Sequence, residues 1–191
     1  MKYLYPFVLF CLNLLSGCSS VPLTSLPSLS RIDFMTTDLN RIRVAVALPS
    51  SLSPSPRGVV MELKYRQGAD PETVQQLKLQ EVTEPQGQFG LPPAPAETPN
   101  LHVYTLPPEE AGSLDLIRQR AKARRGEKGS MSFGISVSEF CRVGPIPSGP
   151  LMMNLYLLTS ETQSYTQLSS NLDIKTSAQM ANALNKLEDC R

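Results

Sequence analysis

Prolines and glycines divide most of this chain into short segments in which apolar and polar residues alternate. The segment RIRVAVALP, residues 41–49, places an apolar residue at every second position from Ile42 to Leu48, which is the pattern of a β-strand with one buried face. The 17 prolines of the chain cannot donate the hydrogen bonds of a central strand, so they are expected between strands. The same reasoning predicts further strands at residues 58–67, 76–82, 101–106, 130–141, 151–160 and 165–174.

Two segments have the features of helices instead. Between Pro107 and Gly126, acidic side chains lie near the start and basic side chains near the end. Because this charge order complements a helix dipole, and proline suits a first helical turn, the segment predicts a helix over residues 109–125. The tail of the chain has apolar residues at helical spacing after Thr176 or Ser177, either of which can cap a helix. A short C-terminal helix is therefore expected.

The first 18 residues differ in composition from the rest of the chain. A single basic residue, Lys2, is followed by an apolar run from Phe7 to Leu15 that only Asn13 interrupts, and then by small residues that end at Cys18. This order is typical of an export signal. The apolar run is far shorter than the roughly 20 residues that a spanning helix needs.

The quartet LSGC, residues 15–18, resembles the lipobox of bacterial lipoproteins at all four positions. The resemblance implies that the thiol of Cys18 receives a diacylglycerol and that residues 1–17 are then removed as a signal peptide. Acyl chains such as palmitate would hold the protein on a membrane. The resemblance also implies that the residue after the Cys directs sorting, and Ser19, rather than Asp, then points to the outer membrane, with the body facing the periplasm. The alternative is that Cys18 is an unmodified apolar residue of an ordinary leader or anchor.

The expected fold class is mainly β: an antiparallel β-sandwich of immunoglobulin-like or related topology, with one inserted helix and one short C-terminal helix. Roughly 170 residues beyond the signal peptide are enough for one domain and too few for two. We therefore expect a single domain over residues 31–191. Residues 18–30 are rich in Ser, Thr and Pro and are expected to form a flexible tether.

The body beyond the signal peptide carries no net charge. Of the 18 Lys and Arg side chains one is Lys2, so the remaining basic side chains equal the 17 acidic ones in number. A neutral body gives no general attraction for nucleic acid. Nucleic acid is therefore not expected as a partner.

Two cysteines remain for a disulfide. Cys11 lies in the leader and Cys18 is the candidate lipidation site, which leaves Cys141 and Cys190. In an oxidising periplasm such a pair is expected to form a disulfide. It would close a loop of about 50 residues and contribute roughly 3–4 kcal/mol in the chain-entropy model. Two unpaired thiols are the alternative.

The sequence contains no local motif for catalysis, for a metal or for a cofactor, so none of the three is expected. The chain has one histidine, His102, on the face of its strand opposite Leu101 and Val103. The pattern favours an exposed or half-buried strand residue. A catalytic His102 would have to lie in a cleft beside a serine and a carboxylate.

Two stretches are candidates for contact with a partner. Residues 118–128 carry six basic side chains and one acid, and residues 85–100 hold five prolines and two glycines, as in a long loop. The basic side chains could bind anionic lipid, lipopolysaccharide phosphates, peptidoglycan carboxylates or an acidic protein, or could simply be solvated at a helix end. The loop could equally be unstructured and have no role in binding. The basic candidates are Arg118, Arg120, Lys122, Arg124, Arg125 and Lys128.

These features predict a non-enzymatic, lipid-anchored module of the bacterial envelope that interacts with another envelope protein. One alternative is a carrier that holds a lipid or small molecule in an apolar pocket lined by Met131, Phe133 and Met152. An enzyme is the third possibility, and it depends on what surrounds His102.

Overall fold

In the computed structural model, residues 21–83, 90–124, 126, 128–176 and 178–190 are described. Their strands are β1 (Arg43–Leu48), β2 (Leu52–Pro54), β3 (Val59–Gln67), β4 (Thr73–Lys78), β5 (Gln80–Glu81), β6 (Asn100–Thr105), β7 (Gly129–Val137), β8 (Phe140–Arg142), β9 (Met152–Leu158), β10 (Thr166–Asp173) and β11 (Glu188–Asp189). The α-helices are α1 (Leu26–Leu29), α2 (Pro108–Ala123) and α3 (Ala178–Leu184), and 3-10 turns cover Leu23–Ser25 and Leu39–Arg41.

The described strands form three sheets. A five-stranded sheet has the order β10-β9-β1-β6-β5, a second sheet has the order β4-β3-β7, and a small third sheet has the order β11-β8-β2. All pairings are antiparallel except that of β11 with β8, which is parallel. The predicted class, a mainly β antiparallel fold with one inserted helix and one short C-terminal helix, is confirmed.

One main core joins the inner faces of the sheets to helix α2. Val44 and Val46 from β1, Met61 and Leu63 from β3, and Leu114 from α2 are fully buried in one cluster. Burying a side chain of this kind stabilises the fold by roughly 1.5–3 kcal/mol. The alternation read from the sequence therefore sets which face of each strand enters the core.

The central strand β1 is buried on both faces, which the alternating pattern did not predict. Ala45 and Ala47, on the face that alternation assigns to solvent, have no exposed surface and form a second cluster with Val103 and Tyr156. β1 lies between β9 and β6 in the middle of the five-stranded sheet. The small alanine side chains let other residues pack closely over this outer face.

The segment predicted as one strand over residues 76–82 is divided between two sheets. β4 pairs with β3 in the second sheet, whereas β5 pairs with β6 in the five-stranded sheet. At the crossing, buried Leu79 donates its backbone N–H to the carbonyl oxygen of Val59 at 3.0 Å. The crossing brings Glu81 onto the edge of the five-stranded sheet.

The strand predicted over residues 130–141 is also divided, and a close approach at Gly58 explains the break. β7 pairs with β3 in the second sheet, whereas β8 pairs with β2 in the third sheet. Between β7 and β8, the N–H of Ser138 donates to the carbonyl oxygen of Gly58 at 2.8 Å. A Cβ atom at position 58 would lie 2.5 Å from the carbonyl oxygen of Glu139, so only glycine fits this crossing.

Both ends of the described chain hold regular structure that the sequence pattern did not predict. The C-terminal helix ends at Leu184, and the following residues form β11 beside β8. Near the other end, residues 23–29 of the expected tether form helical turns, and Ser25 is buried. This segment has more regular structure than a flexible tether. No helix within the described residues is long and apolar enough to cross a membrane.

Candidate functional site

An open cleft of about 1440 Å³ lies where the third sheet meets the β4–β5 crossing and the start of helix α2. Ser53 and Cys141 contribute from the third sheet, Glu81 from β5, Tyr104 from β6 and Glu109 from the first turn of α2. Residues from four distant parts of the chain thus share one concave surface. Ligand-binding sites in proteins are typically concave surfaces of this kind.

His102 lies beside this cleft between a serine and a carboxylate. Its Nδ1 atom is 2.8 Å from Oε1 of Glu81, and its Nε2 atom is 3.4 Å from Oγ of Ser53. The His102 side chain is 20% exposed and that of Glu81 is 46% exposed. The predicted half-buried position of His102 is correct, and its two neighbours are those that a catalytic histidine needs.

Three strands bring these residues together. His102 is two residues before Tyr104 on β6, so both point to the main-core side of the sheet. Glu81 is the register partner of Tyr104 across β5 and β6, and Ser53 is that of Cys141 across β2 and β8. Ser53 and Glu81 lie 49 and 21 residues from His102 in the sequence. No local motif could have identified them.

The hydrogen-bond partners determine where the ring proton of neutral His102 belongs. An ionised carboxylate can only accept, so the bond to Glu81 requires the proton on Nδ1. Nε2 then has a lone pair that can accept the hydroxyl proton of Ser53. That hydroxyl also lies 3.4 Å from the carbonyl oxygen of Pro54, so its proton has two acceptors at equal distance.

Tyr104 adds a buried hydroxyl to the wall of the cleft. The residue is 2% exposed, and its hydroxyl oxygen has no hydrogen-bond partner in the described part of the chain. Burial, and after it the charge of Glu81, raise the pKa of the Tyr104 hydroxyl well above its usual value. An unpaired buried hydroxyl costs stability, of the order of 1–3 kcal/mol.

The cleft carries charges of both signs. Glu109, Glu110, Glu139, Glu188 and Asp189 line it in addition to Glu81, together with the cations Arg57, Lys78 and Lys186. Across the described residues, the Arg57 side chain makes no hydrogen bond or ion pair. Its backbone has a φ of 68°, a left-handed conformation that non-glycine residues adopt at a cost.

The predicted disulfide forms one side of the cleft. Cys141 and Cys190 are bonded, with their Cα atoms 5.0 Å apart and a sequence separation of 49. Beside them, Nε of Arg142 donates to Oδ1 of Asp189 at 2.7 Å. This hydrogen bond and the charge of Arg142 lower the pKa of the Asp189 carboxyl. The disulfide and the ion pair together hold β11 against β8.

The structure corrects one member of the predicted basic surface. Arg118 is 8% exposed, and its guanidinium donates to the carbonyl oxygens of Phe34 and Thr37 inside the protein. It also pairs with Asp115 at 3.3 Å. Arg118 lies on the same helix side as buried Leu114, because four residues make about one turn. It therefore holds the segment before β1 onto helix α2 and offers no surface to a partner.

The other basic candidates lie at the exposed end of helix α2 or just beyond it. Arg120, Lys122 and Lys128 are exposed, and Arg124 pairs with Asp70. Arg125 lies outside the described residues, as do Cys18 and residues 84–89 of the Pro-rich loop. From the rest of that loop, Thr98 is buried and bonded to Asn154 at 3.1 Å.

No cluster of three or more metal-ligating side chains occurs among the described residues. Of the side chains expected to line a carrier pocket, Phe133 packs on Phe34 with ring centroids 4.1 Å apart. A second cavity of about 500 Å³ lies between Arg142, Lys175 and Leu187. Met131, Phe133 and Met152 line neither cavity.

No known protein family, curated protein or solved structure matches this chain.

Proposed function

We propose that this chain is a lipoprotein of the bacterial envelope, anchored by lipid on Cys18 to the outer membrane and facing the periplasm. The observation that carries the proposal is the leader, in which a short apolar run ends in LSGC. The bonded pair Cys141–Cys190 supports it, since stable disulfides belong to oxidising compartments such as the periplasm.

In this proposal the body is an interaction module, and the cleft is its main contact surface. Its charges, six acids and three cations along the lining, would select a partner with complementary charges. The exposed cations Arg120, Lys122 and Lys128 are a second surface that the partner can use. An envelope protein is the expected partner.

The anchor is tested by feeding an alkyne analogue of palmitate to cells that express the full chain. We expect the label on the protein, its loss in Cys18→Ala and its retention in Cys11→Ala, because Cys11 leaves with the signal peptide. The second variant is a matched control, since it also removes one leader cysteine. Label that persists in Cys18→Ala would contradict the proposal.

The partner is tested with a photo-crosslinking amino acid at Glu139, on the cleft, and separately at Arg120, on the helix. A defined envelope protein crosslinked from position 139 supports the cleft as the contact surface, and one crosslinked only from position 120 supports the helix. If neither position yields a partner and a lipid or metabolite co-purifies, the carrier alternative replaces the interaction module.

A further inference from the structure

We propose that Ser53, His102 and Glu81 form a catalytic triad that hydrolyses carboxylic esters bound in the cleft. This activity goes beyond the interaction module and replaces the expectation of a non-enzymatic protein. The esterase activity does not depend on the lipid anchor, so different experiments test the two proposals.

The first support is the chain of polar contacts. Glu81 holds Nδ1 of His102 at 2.8 Å, and Nε2 faces Oγ of Ser53 at 3.4 Å. A catalytic triad is recognised by these roles and this geometry, on any fold and in any sequence order. The longer serine contact matches the loose hydrogen bonds of catalytic groups without substrate.

The second support is access. Ser53 and Glu81 both line the cleft, and the Ser53 side chain is only partly buried. Tyr104, on the same wall, keeps a buried hydroxyl without a partner in the described part of the chain. The serine therefore lies at the wall of a space large enough for a substrate, next to polar groups that packing alone would not favour.

The reaction uses only the ester and water. The Ser53 hydroxyl gives its proton to Nε2 of His102 while Oγ attacks the carbonyl carbon, and the His102 proton then passes to the departing alcohol as the C–O bond breaks. A water molecule attacks the acyl-serine in the same way and its proton passes through His102. The products are an alcohol, a carboxylic acid and unmodified Ser53, and no oxidant or reductant is needed.

The residue after Ser53 limits the substrate class. In many serine hydrolases the N–H of the next residue stabilises the oxyanion, but here the next residue is Pro54, which has no N–H. A side-chain cation on the cleft would supply that stabilisation instead, and Arg57 is the one nearest to Ser53 in sequence. We therefore infer turnover of esters with good leaving groups and none of amides.

The test treats the purified, disulfide-bonded body with a fluorophosphonate probe, and measures hydrolysis of p-nitrophenyl acetate in parallel. We expect the probe on the peptide that contains Ser53, located by mass spectrometry, and ester hydrolysis above background. Ser53→Ala should abolish both. Ser50→Ala is the matched control, since Ser50 is an exposed serine three residues away, and it should leave both rates unchanged.

Glu81→Gln provides a second test that does not touch the nucleophile. Its carboxylate is 46% exposed, so folding should be retained, as thermal unfolding would verify. Because glutamine no longer fixes the His102 tautomer, we expect labelling and hydrolysis to slow about 10²–10⁴-fold. A folded wild-type protein that takes no probe on Ser53, or a Glu81→Gln variant that reacts at the wild-type rate, would overturn the proposal.

Discussion

The basic end of helix α2 and the cleft beside β6 show opposite relations between sequence and structure. The helix end is recognisable in the sequence by six basic side chains in residues 118–128. Two of these side chains nevertheless take structural roles: Arg118 is buried against two carbonyl oxygens, and Arg124 pairs with Asp70. The cleft has no local signature, yet two residues on its wall, Ser53 and Glu81, both contact His102 beside it.

The charge cluster of the helix end is explained by the helix it belongs to. The C-terminal end of α2 attracts positive charge, and Gln67 caps it by donating to the carbonyl oxygen of Ala121 at 3.0 Å. The residues of the cleft have no such local explanation. Their juxtaposition results from strand pairings and from the crossing at Leu79, so it is a property of the whole fold.

The largest expected effect concerns the disulfide beside the cleft. Replacing Cys141 and Cys190 together by alanine should lower the free energy of unfolding by about 4 kcal/mol, because the bond closes a loop of about 50 residues in the unfolded chain. Urea denaturation of both forms measures this. An unchanged midpoint would show that the third sheet is held without the bond, which would weaken the view of the cleft as a pre-formed site.

The next effect separates the buried and solvated members of the basic helix end. Arg118→Ala should lower the free energy of unfolding by about 2–3 kcal/mol, because the carbonyl oxygens of Phe34 and Thr37 lose a charged donor. Lys122→Ala, a matched control on the same helix, should change it by less than about 0.5 kcal/mol. Equal effects in the two variants would contradict the assignment of Arg118 to the interior.

A smaller effect tests whether the strained backbone of Arg57 lowers stability while its side chain serves the cleft. Arg57 has a φ of 68°, which glycine adopts more easily than arginine, so Arg57→Gly should raise the free energy of unfolding by roughly 0.5–1 kcal/mol. The same variant should slow ester hydrolysis, because the cleft loses a cation. Gln163 also has a left-handed backbone, with a φ of 57°, and lies outside the cleft. Gln163→Gly should therefore stabilise the protein without slowing hydrolysis, and a loss of hydrolysis in both variants would refute a role for Arg57.

The smallest effect concerns the exposed pair Arg142 and Asp189 at the edge of the cleft. Arg142 lowers the pKa of the Asp189 carboxyl, so the folded state binds its proton less readily than the unfolded state does. The pair therefore contributes stability above the unfolded pKa of Asp189, and this contribution is lost as the pH falls through the lower, folded pKa. In Arg142→Ala, an NMR titration should find a higher pKa for Asp189. An unchanged value would exclude Arg142 as the cause.

The sequence predicts faces and elements better than it predicts partners. The period of two identifies the strands and the inward face of β1, and the charge order identifies helix α2 to within two residues at each end. The pattern carries no information on which strand pairs with which, so the breaks at Leu79 and Gly58 could not be foreseen. For the same reason the sequence predicts an exposed or half-buried His102, but not its place on the main-core side with Tyr104, next to Ser53 and Glu81.

The position of the ring proton on His102 can be measured directly. Because the chain has one histidine, a long-range ¹H–¹⁵N correlation spectrum of the folded body reports this ring without overlap. The contact between Glu81 and His102 predicts that neutral His102 carries its proton on Nδ1, that this preference is lost in Glu81→Gln, and that it persists in Ser53→Ala. A proton on Nε2 in the wild-type protein would contradict it, since His102 could then take no proton from Ser53.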